Sequence, residues 1–392
     1  MKTLPRHAAA LGLAAALVLG AGACSDTRHA EPADGAKRPE RAEQADNAVT
    51  GGDRTPGAQG FRIGLLLPDN TAVRYERFDK PFFEAAVAKL CPACEVRYAN
   101  ARRQAATQRQ QAEAMFAGGV DVLVLDAVDT RAAASIVESA KAKDIPVIAY
   151  DRFAEGPISG YVSFDDETVG RIQGTALLEA IRRGGDAKRA PVIMVNGSPT
   201  DPEAAATKRG AHGVLDGHVI IGREYDTPER SGSSDSSEDI AREETRQAIN
   251  ALGGPGKVAG VHAADDRTAG GVIAALKAAG FHPLPPVTGQ DAELAALRRI
   301  VAGDQYMTVF KPYLPEAQTA AAMAIAAATG VPYAKANQRR SNGTVEVAAA
   351  ILEPVPVTRA DLEDTVIREP YYSVADICTP QYADACRAAG LR

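Results

Sequence analysis

The chain has no tryptophan, only 5% aromatic residues, and just five cysteines and six histidines in 392 positions. So few cysteines exclude a disulfide-dense scaffold. The histidines are scattered, and none lies at a spacing that suggests metal ligands, so neither a metal site nor a cofactor is expected. Positive charge is not in excess. The net charge is −6, which argues against the broad basic face of a nucleic-acid binder. Catalytic signatures are missing too: no G-x-S-x-G elbow, H-E-x-x-H helix or P-loop occurs, so no enzyme is expected. What is present is 45% hydrophobic and 24% charged residues. At roughly 100–200 residues per domain, the length suits two domains, each with its own core.

The first sixty residues concern export. Lys2 and Arg6 precede an apolar stretch over 8–23 that ends in small residues, the three parts of a secretory signal. A membrane-spanning helix is the competing reading, but the stretch is shorter than the roughly 20 apolar residues a bilayer needs. Residues 1–23 are therefore expected to be a signal peptide. The stretch closes Ala21-Gly22-Ala23-Cys24, which resembles the lipobox of bacterial lipoproteins and also reads as an ordinary A-x-A cleavage site. Cysteine parity favours the first: the other four cysteines form two close pairs, Cys91/Cys94 and Cys378/Cys386, and leave Cys24 alone. The lipobox resemblance implies a lipid on Cys24. Residues 24–60, with Val49 the only sizeable aliphatic in the stretch after Cys24, cannot bury enough apolar area to fold and are expected to be a disordered tether.

From residue 61 the pattern alternates. Strand patterns at 61–67, 95–99, 120–126 and 145–151 are separated by helical patterns, one opening at Pro81 and others over 104–116 and 130–143. The continuous apolar run at 120–126 suits a parallel strand buried on both faces. The alternation restarts after Gly156, with helices over 168–183, 201–215, 240–252, 268–279 and 292–302. Strands fall between them at 191–196, 219–225, 258–264, 286–290 and 306–310; an alanine-rich helix over 316–329 and a strand at 345–352 follow. The expected fold class is α/β, with two doubly wound parallel-sheet lobes facing a cleft. The expected N-terminal lobe is 61–165 plus 309–340, and the C-terminal lobe is 166–308 plus 341–375. The hinge crossings are then near 164–167, 307–311 and 337–344, leaving a cysteine-containing tail at 376–392.

Ligands of such sheets bind beyond the carboxyl ends of the strands. Those ends carry Asp69, Asp151 with Arg152, Asn196, Gly197 and Ser198 with Asp201, Asp265 with Asp266, Asp291, and Lys311. Helix capping explains Asp201 and Asp265. It does not explain Arg152 or Lys311, because cations are unfavourable at helix starts. Mixed donors and acceptors around one cleft suit a small, uncharged, polyhydroxylated ligand.

Over residues 62–368 the chain resembles the periplasmic sugar-binding proteins of ABC importers, most closely the D-xylose-binding branch, a type I periplasmic-binding-protein-like fold. The markers are Arg74-Tyr75-Glu76-Arg77-Phe78, Ala149-Tyr150-Asp151-Arg152, Ser163-Phe164-Asp165 and Asn196-Gly197-Ser198-Pro199-Thr200-Asp201. Asp266-Arg267-Thr268-Ala269-Gly270-Gly271, Gly289-Gln290-Asp291-Ala292 and Met307-Thr308-Val309-Phe310-Lys311-Pro312 follow. The resemblance implies that Arg77, Asp151, Arg152, Asp201, Asp291 and Lys311 bond the sugar hydroxyls, and that Phe78 stacks on the sugar where the family commonly has tryptophan. Glu203 and Asp265 stand where the family has asparagine, and the second stacking tryptophan, expected after 219–225, is missing. Two carboxylates in place of amides remove donors and add charge, which points away from xylose itself and towards another sugar, amino-bearing or otherwise cationic, or towards weak binding. The implied partners are a monosaccharide and a membrane permease, with the chain a monomer held to the outer face of the cell membrane through Cys24. A ligand-presenting partner of a membrane sensor kinase is the alternative.

Cys91 and Cys94 end the helix through Leu90, the wrong end for a redox pair, which is activated at a helix N-terminus. A structural disulfide or two inert thiols is expected there, and a second disulfide between Cys378 and Cys386.

Overall fold

The apolar runs become the central strands of two parallel sheets. The computed structural model describes residues 60–184, 190–199, 201–227, 237–368 and 371–391, so the signal peptide, Cys24 and nearly all of the tether lie outside the described residues. In chain order the strands are β1 (Arg62–Leu67), β2 (Glu95–Asn100), β3 (Val122–Leu125), β4 (Val147–Tyr150), β5 (Gly160–Phe164) and β6 (Val192–Asn196). They continue with β7 (Ile221–Asp226), β8 (Gly260–Ala263), β9 (Met307–Phe310), β10 (Gln338–Ser341), β11 (Glu346–Leu352) and β12 (Val355–Thr358). The helices are α1 (Lys80–Leu90), α2 (Ala105–Ala117), α3 (Ala134–Lys141), α4 (Asp166–Arg183), α5 (Pro202–Leu215) and α6 (Ser237–Leu252). Then come α7 (Asp266–Ala278), α8 (Leu294–Ala302), α9 (Tyr313–Ala328), α10 (Val374–Ile377) and α11 (Ala383–Ala388). A π-helical turn, Tyr75–Asp79, leads into α1.

The first sheet runs β10-β11-β5-β4-β3-β1-β2, parallel except for the β10 edge. Every residue of β3 and β4 is buried, because helices cover both faces. On one face the alanines of α9 pack into a core with Ile63, Leu65, Val122 and Val124. The second sheet, β7-β6-β8, is also parallel. Single bridges, Val261 to Val287 and Gln290 to Val309, extend it to β9, which pairs antiparallel with β12. The stretch expected as a strand at 286–290 thus contributes only isolated bridges.

Three features differ from the sequence expectation. Strand β5 was not anticipated, since the Gly- and Pro-containing stretch before it reads as loop. It pairs with β4 and β11, and α4 therefore starts earlier, at Asp166, with Asp165 accepting from the Thr168 N–H as its cap. Residues 341–352, expected in the C-terminal lobe, belong to the first sheet, because β11 lies parallel to β5. The third crossing is consequently at β11 to β12, not near 337–344. The tail is also not separate: Ile377, Cys386 and Leu391 share one core with Leu297, Ile300 and Val301. Disulfides join Cys91 to Cys94 and Cys378 to Cys386.

Helices α4 and α5 meet with almost no side chain between them. A Cβ on Gly170 would lie 1.9 Å from the Thr207 carbonyl oxygen, and one on Gly210 would lie 2.0 Å from the Glu167 carbonyl oxygen. An alanine would raise helix propensity in isolation, but here it must push two backbones apart. Gly170→Ala is expected to destabilise the protein by about 1–3 kcal/mol, the usual cost of overpacking. Thermal denaturation checks this; an unchanged or raised midpoint would contradict it.

Candidate functional site

The strand ends meet between the two sheets, and Lys311 marks the meeting point. It follows β9 at the second crossing and is 4% exposed. Its Nζ lies 3.9 Å from Asp151 Oδ1 and 3.9 Å from Asp291 Oδ1. Asp151 follows β4 in the first lobe, and Asp291 follows the Gln290 bridge in the second. Both have left-handed backbones, with φ of 58° and 94°. Aspartate is among the few L residues that visit this region.

Arg74, just before the π-helical turn, organises the first-lobe wall. Its Nε donates to Asp79 Oδ2 at 2.9 Å, its Nη1 to Asp151 Oδ2 at 2.8 Å and its Nη2 to Glu316 Oε2 at 3.2 Å. Tyr150 donates its hydroxyl to Asp79. Arg152 donates Nη1 to the carbonyls of Ala127 and Val128, at 3.0 and 3.2 Å, and its Nε lies 3.9 Å from Asp126 Oδ1. Asp126 is fully buried.

The second-lobe wall comes from the starts of α4 and α5. Asp166 stands in the first turn of α4 and Glu203 in the first turn of α5, and Glu203 feels the charge of Asp166. Asp201 caps α5 by accepting from the Glu203 N–H at 2.9 Å.

Burial and crowding of like charge divide these acids into two kinds. Burial alone would raise the pKa of Asp151, but Arg74, Lys311 and Arg152 outweigh it and hold the group below its usual value. Burial would likewise lower that of Lys311; Asp151, Asp291, Asp166 and Glu203 reverse this and hold it charged. Glu203 is pushed well up, by burial first and then by Asp166, Asp151 and Asp201. Asp126, Glu316 and Asp79 are also raised, chiefly by burial. A carboxyl that keeps its proton offers one donor and one acceptor, as an amide does. The upward push on Glu203 favours this neutral form, which is less costly to bury than a bare charge.

Asp166 is pushed up to about 7, by burial first. Its unfolded value is near 3.9, so between about pH 4 and 7 the folded chain binds more protons than the unfolded one. The associated stability is full below about pH 4 and is lost as pH rises through 7. Asp166→Asn is expected to flatten the decline in unfolding free energy between pH 5 and 8. His262, pushed down to about 4 by burial, acts in the opposite sense and is common to both proteins. Denaturant melts at four pH values check this, and parallel profiles would contradict it.

The structure thus brings together Asp151, Arg152, Glu203, Asp291 and Lys311, with Asp201 as a cap beside them. It does not bring in Arg77 or Phe78, and the two assignments are corrected accordingly. The Arg77 side chain is 43% exposed, lies over the rings of Phe78 and Tyr372, and reaches Asp376 Oδ2 at 3.4 Å. The π-helical turn sends Arg74 inwards in its place. Phe78 is 2% exposed, with its ring centroid 5.6 Å from those of Tyr313, Tyr371 and Tyr372, so it is a core aromatic with no face free for a sugar. Asp265 caps α7, accepting from the Thr268 N–H at 2.7 Å; its charge is felt by Arg267 and Glu293. Asn196 is spent on Glu224 and Asp226. Residues 228–236, where the second stacking aromatic was sought, lie outside the described residues.

Sequence reasoning missed Arg74, Asp126, Asp166 and Glu316. Asp126 was counted inside its strand, although it is the first residue beyond β3. Asp166 follows β5, the unrecognised strand. The strand-end rule finds both once the boundaries are right. Among the described residues, no group of His, Cys, Asp or Glu is arranged to hold a metal ion, and no helix is long and apolar enough to cross a membrane.

Two parallel α/β lobes, three crossings and a charged cleft at the strand ends define a hinged solute-binding protein of the type I fold. The chain belongs to the periplasmic binding protein family, whose domain matches residues 63–332. It is 32% identical over 323 residues to the D-xylose-binding periplasmic protein of Escherichia coli, covering 82% of this chain and 93% of that one. It is 28% identical over 338 residues to a multiple sugar-binding periplasmic protein of Azospirillum brasilense, covering 83% and 94%. Among solved structures, an ABC transporter solute-binding protein from Clostridium phytofermentans with bound β-D-glucose superposes with a TM-score of 0.70 at 26% identity, covering 81% of this chain and 99% of that one. These relatives are binding proteins of transporters, and the chain is a binding protein, not an enzyme.

Proposed function

We propose that the chain is the exported receptor of an ABC sugar importer, taking one xylose-like monosaccharide between its lobes and delivering it to a membrane permease. The observation that carries this reading is the convergence at Lys311 of strand-end groups from both lobes. A sugar hydroxyl both donates and accepts. Ionised Asp151 accepts from it, the Lys311 ammonium donates to it, and the Glu203 carboxyl, pushed towards its neutral form, accepts or donates. Sugar held by one wall draws the other across the hinge, excluding water and strengthening every bond made. The sugars named for the E. coli, Azospirillum and Clostridium proteins support the same ligand class. In this reading the chain acts as a monomer, and Cys24 carries the lipid that holds it at the membrane surface.

Thermal shift against D-xylose, D-glucose and D-ribose tests it. At a concentration of 100 times Kd, a ligand that binds only the folded state adds about 2.7 kcal/mol. At least one sugar is therefore expected to raise the midpoint by several degrees, and Lys311→Met to abolish the rise. No response to any monosaccharide, amino sugars included, would contradict the proposal.

A further inference from the structure

The cleft holds buried carboxyl acceptors with nothing to accept from. Arg74 commits all three guanidinium nitrogens to carboxylates of this chain, and Arg152 commits Nη1 to two backbone carbonyls. By contrast, Asp151 Oδ1 has no hydrogen-bond partner, although its residue is only 4% exposed and the oxygen points at Lys311. Glu203 Oε1 is buried and likewise has none. Asp166, in the first turn of α4 and close enough for Glu203 to feel its charge, adds a second carboxyl. Among the described residues, neither Asp166 nor Glu203 has a cation within 4.0 Å.

A hydroxyl brings as much accepting capacity as donating capacity, and no charge to set against a pair of carboxyls. A primary ammonium brings three donors and no acceptor, and its charge balances the carboxyl pair. Resting on the monosaccharide reading above, the geometry points to an amino-bearing monosaccharide, its ammonium held between Asp166 and Glu203 while Asp151 and Lys311 hold hydroxyls. The titration of the pair is consistent with this. Burial, Asp151 and Asp201 favour the protonated forms of both acids, and Lys311 opposes them. An arriving ammonium reverses the balance and releases a proton to solvent. Glucose and xylose, with hydroxyls only, release none.

Calorimetry of the full chain at pH 7.5 with 2-, 3-, 4- and 6-amino-deoxyglucose, glucose, N-acetylglucosamine and xylose tests the inference. One amino sugar is expected to bind at least tenfold tighter than glucose and xylose. Its apparent enthalpy should differ between phosphate and Tris in proportion to the protons released. Glu203→Gln, and independently Asp166→Asn, should bring the preference of the amino sugar over glucose and xylose down towards equality. If glucose or xylose binds as tightly as every amino sugar, the inference is overturned and the monosaccharide reading survives. If no sugar binds, both are overturned. A preference unchanged in both variants would also overturn the assignment to this pair.

Discussion

Arg74→Met is expected to lower the unfolding free energy at pH 7.5 by about 3–5 kcal/mol, the usual cost of breaking a buried ion pair by removing one partner. The guanidinium serves Asp79, Asp151 and Glu316 together, and all three are almost wholly buried. Methionine fills the volume but leaves three carboxyls facing each other in a dry site. They can be relieved only by taking up protons, so the deficit should shrink as pH falls towards 5, where protonation is cheaper. The direction follows from the raised values of Asp79 and Glu316: the folded state then binds more protons than the unfolded one, and stability falls as pH rises. Denaturant melts at pH 5 and 7.5 measure both parts. A loss below about 1 kcal/mol, typical of surface pairs, would mean that Arg74 does not organise the wall.

Asp151→Asn is expected to weaken ligand binding by roughly 10- to 150-fold, the equivalent of about 1.5–3 kcal/mol for a hydrogen bond to a charged group. Asparagine tolerates the left-handed backbone at this position as aspartate does, so the turn after β4 should persist. What is lost is an acid whose surroundings, Arg74, Lys311 and Arg152, hold it below its usual pKa. The backbone carbonyl of Asp151, which accepts from the Tyr161 hydroxyl at 2.9 Å, is unaffected. Affinity and thermal midpoint measured on the same protein separate a binding defect from a folding defect. Unchanged affinity would remove Asp151 from the site.

Much of the architecture was readable because parallel strands buried on both faces announce themselves as apolar runs, as in β1 and β3. Strand β5 escaped because it begins with glycine after a Gly- and Pro-containing stretch, and its place is fixed by β4 and β11 on either side. The lobe membership of β11 depends on the same distant pairing, which no local pattern encodes. At the site, the strand-end rule named Asp151, Arg152, Asp291 and Lys311, and Asp151 and Asp291 lie on either side of Lys311. Arg77 and Phe78, which the resemblance implied, lie elsewhere because a π-helical turn decides which residues of that segment face inwards, and turn type is set by what packs around it. The aromatic side of that turn is drawn into a core with the C-terminal segment, Tyr371 and Tyr372 included. The upward push on the Glu203 pKa was equally out of reach, since it comes from burial first and then from Asp166 on a different helix.

The central claim is that one monosaccharide binds between the lobes, at the strand ends around Lys311. Calorimetric titration of the wild-type protein, Asp151→Asn and Lys311→Met with pentoses, hexoses and amino hexoses measures this most directly. The expected result is one sugar bound per wild-type chain, with affinity sharply reduced in both variants while their thermal midpoints remain above the working temperature. Binding that both substitutions leave intact, or silence from every sugar with the wild-type protein, would contradict it.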